Sequence, residues 1–344
     1  MKVGILAAGG IANKMATTLK ELAHPEIELY AIASRSQERA EEFAHKYDMP
    51  RAYSSYKELA QDPYVDLIYI ASPHSEHFAH GMLCLEHKKP ILVEKAFTAN
   101  ATSAKALLEY AKSQHVLATE AIWTRYMPSR QIICDALASG KLGVVHSVQA
   151  NLCYPIAHKD RIILPELAGG ALLDIGVYTI NFAMMFLGSK VTSVKGKCLL
   201  SNTGVDLVDN ISLICAGGPA SPDSATPSSM AAQTGVSAAL ASLHVSAFGP
   251  SDRNGIIYGT KGYMVVTNIN NPEKVEIFNQ EHELIEELPL PKQVTGFEYQ
   301  VISCFNALKE GRIECPEMPH KETIAVMGIM DKLREHWGVT YPFE

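Results

Sequence analysis

Short apolar runs alternate with amphipathic stretches through the first third of the chain. Residues 3–7, 28–33, 66–71 and 91–93 are compact, mostly apolar segments. That pattern suits strands covered on both faces. Between them the spacing turns helical. In 11–23, Ile11, Met15, Leu19 and Leu22 fall on one face. Residues 37–47 read as a charged helix, and another runs from the loop at 72–77 to about Glu86. A fourth spans 102–114 with Asn100 as its N-cap. Residues 116–119 close the series as a further strand. Strands alternating with helices in this order predict a doubly wound parallel sheet.

The pattern changes after residue 119. One helix is expected at 128–140. Then 144–154, 191–200, 210–215, 237–245, 254–267 and 274–278 are strand-like with few helices between them. Such a run indicates an antiparallel sheet. Helices at 296–310 and 320–336 end the chain. The expected class is therefore α/β: a parallel-sheet domain at 1–119, then an α+β domain at 120–344 with a large, open, mostly antiparallel sheet. Residues 216–235 hold one charge, Asp223, among Ala, Ser, Pro, Gly and Thr. They read as a long surface insertion joining a hairpin; a lid, an oligomer contact and a tolerated loop excursion all stay open.

Composition narrows the class. A chain of 344 residues exceeds what one core of roughly 250–300 residues holds, so two domains are expected. Hydrophobic content of 47% with 19% charged residues describes a folded globular protein. The net charge of −7, with no basic patch, argues against a nucleic-acid partner. Seven scattered Cys without a C-x-x-C pair point to reduced thiols in a cytoplasmic protein. Thirteen His show no ligand spacing, so no metal is expected. The apolar N-terminus, broken by Gly9 and Gly10, reads as strand-turn-helix rather than a leader. No apolar run approaches ~18 residues, so no membrane partner is expected.

Five segments carry candidate chemistry. The turn Ala7-Ala8-Gly9-Gly10-Ile11-Ala12 follows a strand and opens a helix, as the dinucleotide fingerprint does. Gly9 lets the backbone approach a pyrophosphate, the helix beginning near Ile11 aims N–H groups at it, and Ala12 permits close packing. Ala7 stands where the first glycine is usual. At the end of the second strand lie Ser34, Arg35 and Ser36, with Arg39 beyond. An acidic residue there binds the ribose hydroxyl of NAD. Its absence, and guanidinium groups suited to a 2′-phosphate, favour NADP over NAD. The loop Ser72-Pro73-His74-Ser75-Glu76-His77 follows a strand at the carboxyl edge of the sheet. There His74 and His77 either border a cofactor or merely start a helix.

The run PILVEKAF, 90–97, is a buried strand ending in Glu94 and Lys95. Lys95 on the lip of a parallel sheet fits either a surface ion pair or a proton-transfer role. Asp174 and Tyr178 in GGALLDIGVY are four apart, on one face of a helix. They fit either a capped helix start with a half-buried phenol or a proton-transfer group, because a nearby cation favours an ionised phenol. Tyr53 and Lys57 have Y-x-x-x-K spacing, but they lie between early sheet units and read as coincidence.

Together these segments resemble the Gfo/Idh/MocA family of oxidoreductases. The motifs VGILAAGGIA, ASRSQERAEEFA, IASPHSEHFAHGMLCLEHKKPILVEKAFTAN, EAIWTRYMP, GGALLDIGVY and MDKLREHWGVTYPFE carry the resemblance. The likeness is greatest to the branch holding dimeric dihydrodiol dehydrogenases and NADP-dependent D-xylose dehydrogenases. It implies a Rossmann N-terminal domain that binds NADP and a catalytic lysine at Lys95 within Glu94-Lys95-Ala96, Ala96 replacing the usual proline. It implies Asp174 and Tyr178 as catalytic partners, Tyr178 being the proton donor or acceptor. It places Trp123 and Arg125, with Tyr178, in the substrate pocket. The expected substrate is a small sugar-like or vicinal-diol molecule, and the expected assembly a homo-oligomer through the C-terminal sheet. A non-catalytic NADP-binding regulator on the same scaffold is the alternative.

Overall fold

The computed structural model describes residues 1–216 and 237–344. The insertion expected at 216–235 falls, apart from Ala216, outside the described residues. The chain divides into two compact units, Met1–Tyr126 with Gln293–Met327, and Met127–Lys292 with Gly328–Glu344.

In the first unit, six parallel strands form one sheet. They are β1 (Lys2–Leu6), β2 (Glu28–Ala33), β3 (Arg51–Tyr53), β4 (Leu67–Ile70), β5 (Ile91–Glu94) and β6 (Ala118–Ala121), in the order β3-β2-β1-β4-β5-β6. The chain runs outward from β1 to one side, then returns to build the other. The switch lies between β1 and β4, where such sheets bind ligands. The expected helices are present as Gly10–Leu22, Gln37–Tyr47, His77–Glu86 and Ala101–Gln114. Asn100 caps the last of these, its side chain accepting the Ser103 N–H at 2.9 Å. Val3, Ile5, Ile32, Leu67, Ile68, Leu92 and Val93 are wholly buried, which explains why these strands read as continuous apolar runs. The edge strand β3 carries no legible pattern, being three residues of which Arg51 is exposed and Ala52 and Tyr53 half-buried.

The division expected at 119/120 did not foresee the return of 293–327 to this unit. Glu298, 3% exposed, accepts the N–H groups of Val294, Thr295 and Gly296 at 2.7, 3.1 and 2.7 Å. It thereby seats the start of the helix Glu298–Lys309. Thr295 shares a hydroxyl hydrogen bond with Thr18 at 2.7 Å. The Ala118 N–H donates to Ile313 O at 3.1 Å, and the His320 ring meets Ala118 O at 2.9 Å. The returning segment thus pairs backbone groups that edge strand β6 would leave open. Hydrogen bonds between residues so far apart in sequence leave no local signal.

The second unit holds an eight-stranded sheet in the order β14-β13-β12-β11-β7-β10-β9-β8. Its strands are β7 (Val145–Cys153), β8 (Val191–Leu200), β9 (Asp206–Ala216), β10 (Ala238–Ser246), β11 (Gly255–Gly259), β12 (Gly262–Thr267), β13 (Lys274–Asn279) and β14 (Leu284–Glu287). Every neighbouring pair is antiparallel except β7 with β10. Residues 254–267, expected as one strand, are β11 and β12 folded at Thr260-Lys261. Gly262 has φ +154°, and a Cβ there would overlap Phe278 O, so only glycine makes that corner.

Helix Val177–Leu187 packs against β7, β9 and β10. The stretch Pro165–Leu187 is long and apolar enough to cross a membrane by composition, which the sequence reading had not recognised. Its most apolar window is 94% buried inside the protein, as suits a core helix that is hydrophobic all round.

Candidate active site

The turn after β1 has the shape its glycine pattern implied. Ala7 sits at φ +79°, the left-handed region where the usual glycine is at ease. An alanine there costs about 1 kcal/mol or somewhat more. The Ala7 N–H bonds Ala33 O at 3.0 Å, which holds the turn against β2. Gly9 is the N-cap of helix Gly10–Leu22 and offers no side-chain cap; no acidic residue lies in the first turn. A Cβ at Gly9 would meet only Ala71 O at 3.9 Å, and one at Gly10 nothing within 4 Å. Open space in front of an uncapped helix start fits a pyrophosphate. Ala8 and Ile11 are half-buried at its border, and Ala12 is fully buried against the sheet.

At the end of β2, Ser34 is buried while Arg35 and Arg39 are exposed. Ser36 caps helix Gln37–Tyr47 by accepting the Arg39 N–H at 3.3 Å, and its own N–H donates to Ser34 Oγ at 3.4 Å. No carboxylate occupies 34–37. This corner is cationic and hydroxyl-lined, which suits a 2′-phosphate.

The two loops beyond β4 and β5 are tied together by imidazoles. His77 is completely buried, with Nδ1 at 2.9 Å from Ala96 O and Nε2 at 2.8 Å from Ser72 O. Burial drives its pKa down to about 4, against the pull of the two carbonyls. A buried ring of this kind braces the loops, and His77 opens helix His77–Glu86, so its burial fits the helix-start role of the two left open. His74, 8% exposed, reaches Lys95 O at 3.1 Å. Ser72 Oγ lies 2.9 Å from His80, a residue the sequence reading did not single out. Pro73 is exposed at the loop's tip.

At the end of β5, Glu94 is 6% exposed and accepts the Tyr69 hydroxyl and, at 3.2 Å, the Lys95 N–H. It is therefore no solvated partner at a strand end. Lys95 is partly exposed, and the Lys95–Ala96 peptide bond is cis. On the next strand Glu120 is completely buried and accepts the Phe97 N–H at 3.1 Å. Burial raises its pKa to about 7, over the opposing pull of Arg125, the Phe97 N–H and Thr323. Tyr69, Glu94 and Glu120 thus line three adjacent strands at their carboxyl ends, a row without local periodicity in the sequence.

Trp123 is 6% exposed and stacks on Phe297, with ring centroids 4.2 Å apart and planes 5° from parallel. Arg125 is 2% exposed, and its guanidinium lies 3.3 Å from the Glu322 carboxylate. Both residues are held inside the first unit by groups of the returning segment. Their surroundings fit a framework role better than the direct substrate contact expected of them.

In the second unit, Asp174 lies in a π-helical segment, Leu172–Gly176, and Tyr178 just beyond it in helix Val177–Leu187. The wider π turn alters the simple four-residue stacking expected of an α-helix. Asp174 is buried, and its carboxylate is 2.5 Å from Arg161. Arg161 follows a coil segment and could not be linked to Asp174 by spacing. From Ala171 to Leu187, every residue but Tyr178 is buried. A buried core helix thus carries one tyrosine that is partly exposed.

The chain matches two family models. Residues 1–121 match the oxidoreductase family with an NAD-binding Rossmann fold, and residues 131–265 match the GFO/IDH/MocA C-terminal domain. It is 31% identical to the trans-1,2-dihydrobenzene-1,2-diol dehydrogenase of Mus musculus, covering 99% of this chain and 98% of that protein. It is 32% identical to the NADP(+) D-xylose 1-dehydrogenase of Hypocrea jecorina, covering 99% and 93%. The fold is shared with KijD10, a 3-ketoreductase from Actinomadura kijaniata solved with NADP and TDP-benzene. That likeness has a TM-score of 0.81 at 23% identity and covers 97% of each chain. It is shared too with the aldose-aldose oxidoreductase from Caulobacter crescentus, with a TM-score of 0.81 at 18% identity over 97% and 96% of the two chains. The two domain matches and the full-length relatives establish that this chain belongs to the Gfo/Idh/MocA oxidoreductase family.

Proposed function

We propose that the protein is an NADP(H)-dependent oxidoreductase acting on a sugar-like or vicinal-diol carbinol, or on the corresponding carbonyl. The observation that carries this reading is Tyr178, the partly exposed residue of a buried helix, with Asp174 four residues before it held by Arg161. The relatives named for a diol and for D-xylose agree with that substrate class. The open helix start at Gly9 and Gly10, and the cationic corner of Ser34, Arg35, Ser36 and Arg39, support NADP as the dinucleotide.

When bound, the nicotinamide supplies the hydride chemistry, and the protein supplies position and charge. In the oxidative direction Tyr178 takes the hydroxyl proton. Lys95 holds the substrate oxygen through its ammonium and stabilises charge that develops there. Asp174 hydrogen-bonds the substrate and keeps it oriented. In the reductive direction Tyr178 returns the proton to the carbonyl oxygen.

The test is NADP reduction by a panel of aldoses, vicinal diols and polyols, with dicarbonyl reduction as the reverse assay. Tight NADP binding with no turnover of any member would favour a cofactor-binding regulator instead.

We place self-association on the open face of the second unit's sheet. There Leu240 and Ile214 are register partners on β10 and β9, and they are 48% and 39% exposed. Apolar pairs on a sheet face call for a cover. Sedimentation of the wild type and of Leu240→Glu would show whether that face joins copies of the chain.

A further inference from the structure

Two carboxyl groups in the second unit have no part in the chemistry above. Asp206 and Asp209 stand on β9, and both are 0% exposed. Residues three apart on a regular strand point to opposite faces. Here the ladder with β8 slips: Cys198 pairs Asp209 and Leu199 pairs Val208, but Leu200 pairs Asp206, so Leu207 is an extra residue. That bulge brings Asp206 and Asp209 to the same buried side.

Asp206 faces the turn that begins the Asp174–Tyr178 segment. Its Oδ2 accepts the Leu172 N–H at 2.6 Å. Gly170, at φ +121°, packs so closely that a Cβ there would overlap Asp206 Oδ1. Tyr341 fixes the same turn from another side, its hydroxyl donating to Gly169 O at 2.8 Å. Asp206 Oδ1 and both oxygens of Asp209 find no N–H or hydroxyl donor among the described residues. The two carboxyls lie close enough on this buried side for each to shift the other's titration. Two buried carboxylates in contact do not both ionise; one proton lies between them.

We propose that Asp206 and Asp209 are a proton-sharing positioning pair: Asp209 carries the proton and donates to Asp206, and Asp206 holds the Leu172 N–H that fixes the segment bearing Asp174 and Tyr178. Burial pushes the Asp209 carboxyl well above the usual carboxylate range, with Asp206 adding to the shift. Burial raises Asp206 as well, opposed by the Leu172 N–H and by Arg334. The groups facing the pair are the Leu172 amide, Cys198 across the ladder, Tyr341 and Arg334, the last engaged by Glu344 and Asp331. The positioning role rests on the reading of Tyr178 as the proton-transfer group.

The full-length protein with NADP bound is compared with Asp209→Ala and Asp209→Asn. Alanine removes the donor; asparagine restores one through its amide. Asp209→Ala is expected to lower kcat roughly 10- to 100-fold with little change in KM, as small misplacements of a reacting group do. It is also expected to speed hydrogen exchange of the Leu172 to Asp174 amides, and asparagine should rescue both. Wild-type kcat and exchange in Asp209→Ala, or no rescue by asparagine, overturns the proposal.

A second measurement stands if the alanine variant fails to fold. A carboxyl raised in the folded state contributes stability at low pH that is lost as pH rises. The melting temperature of Asp209→Asn should therefore gain on the wild type as pH rises from about 5 to 9; a constant difference overturns the shared proton. Exchange and melting need no substrate. An inactive wild type would thus sink the enzyme reading while these two measurements still judge the pair.

Discussion

The buried carboxyl of Glu120 accepts the backbone N–H of Phe97, two residues beyond Lys95, at a distance of 3.1 Å. Its pKa is raised to about 7, chiefly by burial, so the lysine's loop rests on a group that titrates near neutrality. A carboxyl raised from its ordinary value of 4.5 contributes stability that is full below that value and lost as pH climbs through about 7. Glu120→Gln cannot ionise. Its unfolding free energy should overtake the wild type's above neutral pH, by up to roughly 3 kcal/mol. Denaturant titrations at pH 5 and pH 8.5 check this; parallel pH dependence in the two proteins would mean that Glu120 does not titrate there.

Lys95→Ala and Tyr178→Phe each remove one group from the proposed proton transfer. Each should reduce kcat by about 10²–10⁴-fold, the usual worth of a positioned acid or base. NADP affinity should stay nearly intact, because neither change touches the turn at Gly9. Near-full turnover in either variant, measured by NADPH absorbance, would remove that residue from the mechanism.

Arg35 and Arg39 are the cations beyond β2. Arg35→Ala should weaken NADP about tenfold or more and leave NAD affinity almost unchanged, since a charge-assisted contact with the 2′-phosphate is worth roughly 1.5–3 kcal/mol. Fluorescence titration with both dinucleotides is the measurement. Equal losses would place the arginines outside the phosphate site.

Two glycines separate fold from function. A Cβ at Gly169 would lie 2.7 Å from Ile162 O and 2.8 Å from Leu164 O, backbone atoms with little freedom to retreat. Gly169→Ala should cost about 1–3 kcal/mol of stability. At Gly9 the nearest atom would be Ala71 O at 3.9 Å, and φ is −90°, so Gly9→Ala should melt within about 0.5 kcal/mol of the wild type. The same methyl stands where the pyrophosphate approaches, so NADP affinity should fall. Thermal melts with and without NADP distinguish the two cases.

The sequence by itself determined most of the parallel sheet and the helices beside it, because strands buried on both faces and helices buried on one write their periods directly into the chain. The open turn at Gly9, the cation at Arg35, the strand that ends at Glu94 and the Asn100 cap are local features, and all were legible. So were Lys95, Asp174 and Tyr178 as candidates, since their motifs are short and contiguous.

Only tertiary structure decided what surrounds them. That Arg125 is neutralised by Glu322, that His77 is a sealed brace and that Arg161 steers Asp174 depend on residues distant in sequence. The return of 293–327 to edge strand β6 is of the same kind. The bulge at Leu207 is the extreme case: it reverses the face of Asp206 relative to strict alternation, so the pattern that located β9 from residue 210 onward hid its first charged residues. Periodicity records which side of an element faces the core. Hydrogen bonds and ion pairs between elements have no period, and they become visible only once the chain has folded.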